Sequence, residues 1–269
     1  MARLPTLFIP HGGGPCFFMA PPPGRPDPWQ KMGDYLRGLG AELGQRPRAV
    51  LVISGHWEET APTVTTGSAP PLIYDYYGFP PHTYQLRYPA PGEPALAGAI
   101  RTRLAQAGIA AGADGTRGFD HGVFIPFLLI YPEADIPVVQ LSLDASLDPA
   151  AHLAIGRALE PLRDEGVLIV GSGLSFHNLH AFFGGDRSVS AQARAFDTWL
   201  TEAATADPAQ RDAMLARWAT APGARASHPR EEHLLPLMVA AGAAGADRGQ
   251  RNFHELLFGI NPVSGYRFG

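Results

Sequence analysis

The chain has 269 residues, of which 45% are apolar, with a formal net charge of −4 and a sequence pI of about 6.2. That balance gives no basic surface for nucleic acid or anionic lipid, and no segment reaches the ~20 apolar residues of a membrane span. A single cysteine, Cys16, excludes an internal disulfide framework, and without a secretory leader pattern at the N-terminus the expected location is cytoplasmic.

Residues 4–10 predict a first strand that delivers His11 into Gly12-Gly13-Gly14. No Walker or dinucleotide pattern follows, so these glycines read as places of close backbone approach. A helical period covers residues 29–43. The run from Ala49 to Ile53 is apolar on both alternating sets, which reads as a strand buried on both faces. It breaks at Ser54-Gly55 and delivers His56. Residues 60–67 hold a β-branched strand. Residues 72–91 read as a long loop with five tyrosines, Phe79 and His82, a lid or pocket wall for a flat apolar ligand, with His82 exposed.

A helix follows at 94–107. Gly118-Phe119-Asp120-His121-Gly122 then leads into an apolar, buried helical stretch at 123–131. A strand is predicted at 136–142 and a helix at 149–164, with His152 on its surface. The strand at 167–170 runs into Gly171-Ser172-Gly173 and His177. Helices are predicted at 188–204 and 207–220. Ser227-His228-Pro229 reads as the start of a further helix carrying His233, and residues 264–268 as a last strand. This alternation predicts a single-domain α/β sandwich over residues 1–269, with a mixed central sheet flanked by helices.

Three apolar runs thus end in glycine or serine with a histidine close behind. Open α/β sheets bind ligands outside the carboxyl ends of their strands, where His11, His56 and His177 are placed. With His121 and His233 they make five histidines in glycine-flanked or helix-start positions. Zinc, iron and copper all accept imidazole, and neutral ligands leave a divalent cation its full charge for an anionic oxygen substrate. On a regular helix His228 and His233 lie about 140° apart, so they do not share one metal. Spacing alone leaves both His233 and Glu232 open as the third ligand. Cys16 reads as a small buried residue, with a thiolate role as the alternative.

Pro-His-Gly-Gly-Gly-Pro around His11, Ser-Gly-His-Trp-Glu around His56, Tyr-Asp-Tyr-Tyr-Gly-Phe-Pro in the aromatic loop, Gly-Phe-Asp-His-Gly around His121, the segment 171–180 around His177 and Glu-Glu-His-Leu-Leu-Pro-Leu around His233 come in one order over nearly the whole chain. In that order they resemble the class III extradiol ring-cleaving dioxygenases, specifically the DOPA dioxygenase-like group related to the protocatechuate 4,5-dioxygenase catalytic subunit. The resemblance implies His11, His56 and His233 as metal ligands. His177 is then a fourth ligand or the acid–base, and His121 a proton donor or substrate orienter. Tyr74 and Phe79, in the aromatic loop, are expected to contact substrate; His228, at the predicted helix start, is expected either to cap that helix or to reach bound substrate. Fe(II) is the implied cofactor for activity, with Zn(II) as the other metal such a site accepts. The implied partners are a small aromatic catechol and O2, the implied product is a muconic semialdehyde, and homo-oligomers are compatible with the sequence. Two other classes fit the histidines: a zinc hydrolase using metal-bound hydroxide, and a non-enzymatic relative that binds metal or peptide.

Overall fold

Short apolar runs bounded by glycine and proline form the strands of one sheet. The computed structural model describes residues 3–21, 23–184 and 188–269. Its strands are β1 (Thr6–Pro10), β2 (Ala49–Glu59), β3 (Thr63–Thr65), β4 (Gly112–Asp114), β5 (Val138–Asp144), β6 (Val167–Gly173), β7 (Gly249–Leu257) and β8 (Asn261–Phe268). They lie in the order β4-β3-β5-β2-β6-β1-β8-β7. The central pairs β5–β2, β2–β6 and β6–β1 are parallel. Antiparallel pairs β3–β5, β1–β8 and β7–β8 make the sheet mixed.

The helices are α1 (Gln30–Glu42), α2 (Pro94–Gln106), α3 (His121–Ile130), α4 (Pro149–Leu159), α5 (Leu179–Gly184), α6 (Ser188–Thr205), α7 (Pro208–Leu215), α8 (Ala224–Ser227) and α9 (Leu235–Ala244). Successive side chains of a strand point to opposite faces, and the core divides accordingly. Leu51, Ile53, Val139, Leu141 and Ile169 pack with α2, α4, α6 and α9. Val50, Val52, Val138, Leu168 and Val170 pack with α1 and α3. Helices on both faces explain why the central strands carry unbroken apolar runs. Among the described residues no helix is long and apolar enough to cross a membrane.

The register sets the site. Pro10 pairs with Gly173 and Ser54 with Ser172, so β1, β6 and β2 finish side by side at the same edge. β2 does not stop at Ile53. It continues through His56 to Glu59, with a register shift against β5 between Ile53 and Glu58.

Three sequence expectations are corrected. The helix predicted to start at Ser227 does not: α8 ends there, His228 is its C-terminal cap, and α9 begins at Leu235 with a proline in its first turn. Pro236, not Pro229, is the start signal. His152 is fully buried, not on the surface. Its Nδ1 donates to the Asp148 carbonyl at 2.7 Å and its Nε2 accepts from the Asp144 amide at 3.2 Å. The helix expected to run to residue 164 ends at Leu159 and passes into a 3-10 turn containing Pro161, which has no N–H to continue the ladder. Strands β4 and β7 had no clear sequence signal.

The first turn of α9 and the segment before it lie directly on β6. A Cβ at Gly171 would stand 2.3 Å from the Pro236 carbonyl oxygen, and one at Gly173 would stand 2.2 Å from that of His233. Only glycine permits this approach, and it seats His233 over the strand ends.

Candidate metal centre

His11 follows β1 and is tied to β6 by its amide, which donates to the Gly173 carbonyl at 3.2 Å. His56 sits on the extension of β2, its amide donating to Ser54 Oγ at 3.2 Å. His233 arrives from the other end of the chain, its carbonyl accepting from the Leu174 amide at 3.1 Å. The three rings converge. His56 Nε2 is 3.3 Å from His11 Nε2 and 3.2 Å from His233 Nε2.

One imidazole nitrogen has either one N–H or one lone pair, so His56 Nε2 does not hydrogen-bond to both neighbours. The spacing suits a shared cation instead. Metal–nitrogen bonds of about 2.0–2.1 Å in tetrahedral geometry separate the nitrogens by roughly 3.3 Å. Burial, reinforced by the neighbouring imidazoles, holds His11 and His56 well below the ordinary histidine range. Burial likewise lowers His233, to about 4. All three are therefore neutral at physiological pH, which is the form that ligates a metal.

One carboxylate supports two of the rings. Glu232 Oε1 accepts from His233 Nδ1 at 2.9 Å and from His177 Nδ1 at 3.0 Å. Protonation at Nδ1 leaves each Nε2 with its lone pair free. Burial works against ionisation of Glu232, but the hydrogen bonds from His177 and His233 outweigh it and hold the carboxyl far below the usual range. Glu232 Oε2 lies 3.5 Å from Arg230, whose guanidinium also bonds Glu58. The His177 ring stacks on His233 with centroids 3.4 Å apart.

Asp75 does the same for His121. Its Oδ1 accepts from His121 Nδ1 at 2.8 Å and from the His121 amide at 2.9 Å. Beneath it, fully buried Asp120 accepts from Ser54 Oγ at 2.8 Å, from Arg117 at 3.3 Å and from the Gln140 side-chain amide. Among the described residues two sets of side chains have donor atoms close enough for a metal: His11, His56 and His121, and His177, Glu232 and His233. All five histidines line one cavity of about 410 Å³.

Residues 5–269 match the family model described as the catalytic LigB subunit of aromatic ring-opening dioxygenase. The chain belongs to this family. It is 42% identical to a 4,5-DOPA dioxygenase extradiol of Beta vulgaris over 229 residues, covering 84% of each chain. It is 39% identical to the dioxygenase tasH of Hapsidospora irregularis, over 99% of this chain and 86% of that one. A crystal structure of an uncharacterized protein from Escherichia coli K12 superposes with a TM-score of 0.79 at 32% identity, covering 99% of this chain and 100% of that chain. This LigB-family member is therefore an extradiol-type dioxygenase, a metal-dependent enzyme that opens catechol rings.

Not every residue singled out in the sequence reaches the LigB-type cavity. Phe79 lines it. Tyr74 does not: its hydroxyl donates to the Leu86 carbonyl at 2.6 Å, and its ring packs on Tyr76, Tyr84 and Phe124 beside a separate surface groove. His228 is also elsewhere. Its ring is fully buried between Phe196 and Trp218, with Nε2 2.9 Å from the Ser175 carbonyl. Placing it at the substrate depended on the helix start that the structure moves to Leu235. Cys16 lines the wall as a buried thiol, which burial pushes well above its ordinary range, so it is no thiolate. His82 is exposed, its Nε2 2.9 Å from the Phe18 carbonyl. Sequence reasoning missed Asp75. It lies in the aromatic loop, and nothing in its spacing ties it to His121. It also weighed Glu232 only as a ligand, whereas its oxygen is taken up by two imidazoles.

Proposed function

We propose that the chain, acting as one catalytic unit over residues 1–269, opens a substituted catechol with O2 beside its oxygen-bearing carbons and yields a muconic semialdehyde. The observation that carries this reading is the pair of 3.2–3.3 Å approaches among the Nε2 atoms of His11, His56 and His233. These three residues hold Fe(II). When bound, the metal acidifies the catechol hydroxyls and links the ring electronically to O2.

The chain's own residues handle the protons. His177, with Nδ1 committed to Glu232, offers Nε2 as the base for one catechol hydroxyl. His121, with Nδ1 committed to Asp75, stands on the opposite flank and orients the ring or returns a proton. Phe79 and the glycines after His11 form a face for the aromatic ring. The apolar walls exclude bulk water, which strengthens the polar contacts at the histidine floor.

The experiment is oxygen uptake with a panel of catechols, using protein stripped of metal and reloaded anaerobically with Fe(II) or Zn(II). Iron-dependent uptake with a coloured ring-opened product is expected. Full metal loading without uptake on any catechol refutes the reading and leaves a metal-dependent hydrolase as the function to test.

A further inference from the structure

The cavity above the histidines has one-sided chemistry. Apart from the five imidazoles and the glycines of residues 12–14, its described walls are apolar: Met19, Trp29, Phe79, Leu174, Phe182 and Phe258 form most of the surface. Among the described residues no lysine, arginine, aspartate, glutamate, serine, threonine, asparagine or glutamine lines it. Of the charged groups beside the metal ligands, Asp75 bonds His121 and stands 3.9 Å from His56 without lining the cavity, and Glu58, Arg230 and Glu232 line an adjoining opening that shares His56, His177 and His233 with it. Arg230 is already engaged there, with its two terminal nitrogens on the two oxygens of Glu58 at 2.5 and 2.6 Å. The volume of about 410 Å³ is well over twice the roughly 150 Å³ that holds a benzene ring, so the cavity has room for a substituent on a catechol.

We propose that this enzyme is selective for catechols bearing an uncharged apolar substituent, and that catechols bearing an ammonium or carboxylate side chain are poor substrates. The inference rests on the ring-cleavage reading above. A charged substituent drawn into these walls loses its water and finds no charged partner among the described lining residues, which is costly. An apolar one gains from burial in proportion to its area. The discrimination lies in binding, since the hydroxyls reach the same imidazoles in either case.

A near-isosteric comparison tests it. With the Fe(II)-loaded enzyme, kcat/KM is measured for 4-propylcatechol, dopamine, L-DOPA and 3,4-dihydroxyphenylacetate. Binding of the same compounds is followed anaerobically by quenching of Trp29 fluorescence, with a Trp29→Phe variant to isolate its signal. The expected result is a kcat/KM at least ten-fold higher for 4-propylcatechol than for any charged compound, carried mainly by KM, with binding in the same order. In Met19→Arg, which places a cation at the partly exposed rim, the ratio of 3,4-dihydroxyphenylacetate to 4-propylcatechol should rise about ten-fold. Equal or better turnover of L-DOPA than of 4-propylcatechol by the unmodified enzyme overturns the selectivity and leaves ring cleavage standing. Cleavage of none of the four overturns the reading beneath it.

Discussion

Glu232→Gln tests whether the shared carboxylate tunes the metal centre. The substitution keeps the shape of the side chain and removes its charge. In the structure one oxygen accepts two imidazole N–H groups, at 2.9 and 3.0 Å. A hydrogen bond to a charged group contributes about 1.5–3 kcal/mol, against about 0.5–1.5 for a neutral one, so the change weakens each contact by roughly 1 kcal/mol. Two contacts give about 2 kcal/mol, or on the order of thirty-fold. Only the His233 contact acts directly on a proposed ligand, so the expected loss of metal affinity is about five-fold, with the remainder, also about five-fold, appearing in kcat through His177. Metal affinity is read by chelator competition and kcat on metal-saturated enzyme. A variant whose metal affinity and saturated kcat both stay within two-fold of the parent refutes the reasoning.

Asp75→Asn should lower kcat about ten-fold or more with most of the metal retained, because its hydrogen bonds go to His121 and its approach to the proposed ligand His56 is longer, at 3.9 Å; full loss of metal would show that Asp75 supports the ligand set itself. Gly173→Ala puts a methyl 2.2 Å from the His233 carbonyl. It should cost about 1–3 kcal/mol of stability by thermal unfolding, with weaker metal binding; an unchanged melting temperature would mean the segment before α9 shifts freely. Glu255, almost buried, has its carboxyl pushed up to about 7 by burial, from an ordinary value of 4.5. The folded chain thus keeps a proton that the unfolded chain releases, so its stability falls as the pH rises from 4.5 through 7. Glu255→Gln should flatten that fall, by up to about 3 kcal/mol at pH 8, in denaturant titrations at pH 5 and pH 8; parallel curves for both proteins would contradict it. Chelation of bound metal should lower the melting temperature, by the equivalent of about 2.7 kcal/mol when free metal had stood at a hundred times its Kd; a melting temperature unchanged by chelation would argue against binding at this centre.

Where burial wrote a strong pattern, the sequence was readable. The double-faced apolar runs at 49–53 and 167–170 became adjacent parallel strands, and the histidines behind them met at one edge. The pattern failed where tertiary contact decided the outcome. Ser227-His228-Pro229 has the residues of a helix start, but α9 waits until Leu235 and the His228 ring enters the core between Phe196 and Trp218. His152 in a first helical turn has the look of a surface residue until the Asp144 amide occupies its ring nitrogen. Strand β4 is three residues with no apolar alternation, and only its pairing with β3 defines it. Tyr74 shows the limit of composition: the loop's aromatic excess was plain, but which rings face the cavity depends on how that loop folds over Phe124.

The sheet order carries a consequence for how the protein is made. β1 is synthesised long before its two neighbours, β6 and β8, which are formed from residues 167–173 and 261–268. β1 has no native partner until residues 167–173 have been synthesised, and its second comes only with residues 261–268. The metal site shares this timing, because His233 joins His11 and His56 only when the segment after α8 lies across β6. A nascent chain holds two of the three imidazoles without the geometry that draws them together. Assembly dominated by such distant pairings is slow and leaves strand edges exposed. Metal loading should therefore follow synthesis of the segment around His233, and interruption between residues 174 and 232 should leave a product in which β1 can meet β6 but not β8 and the third imidazole is missing, so that it retains no metal.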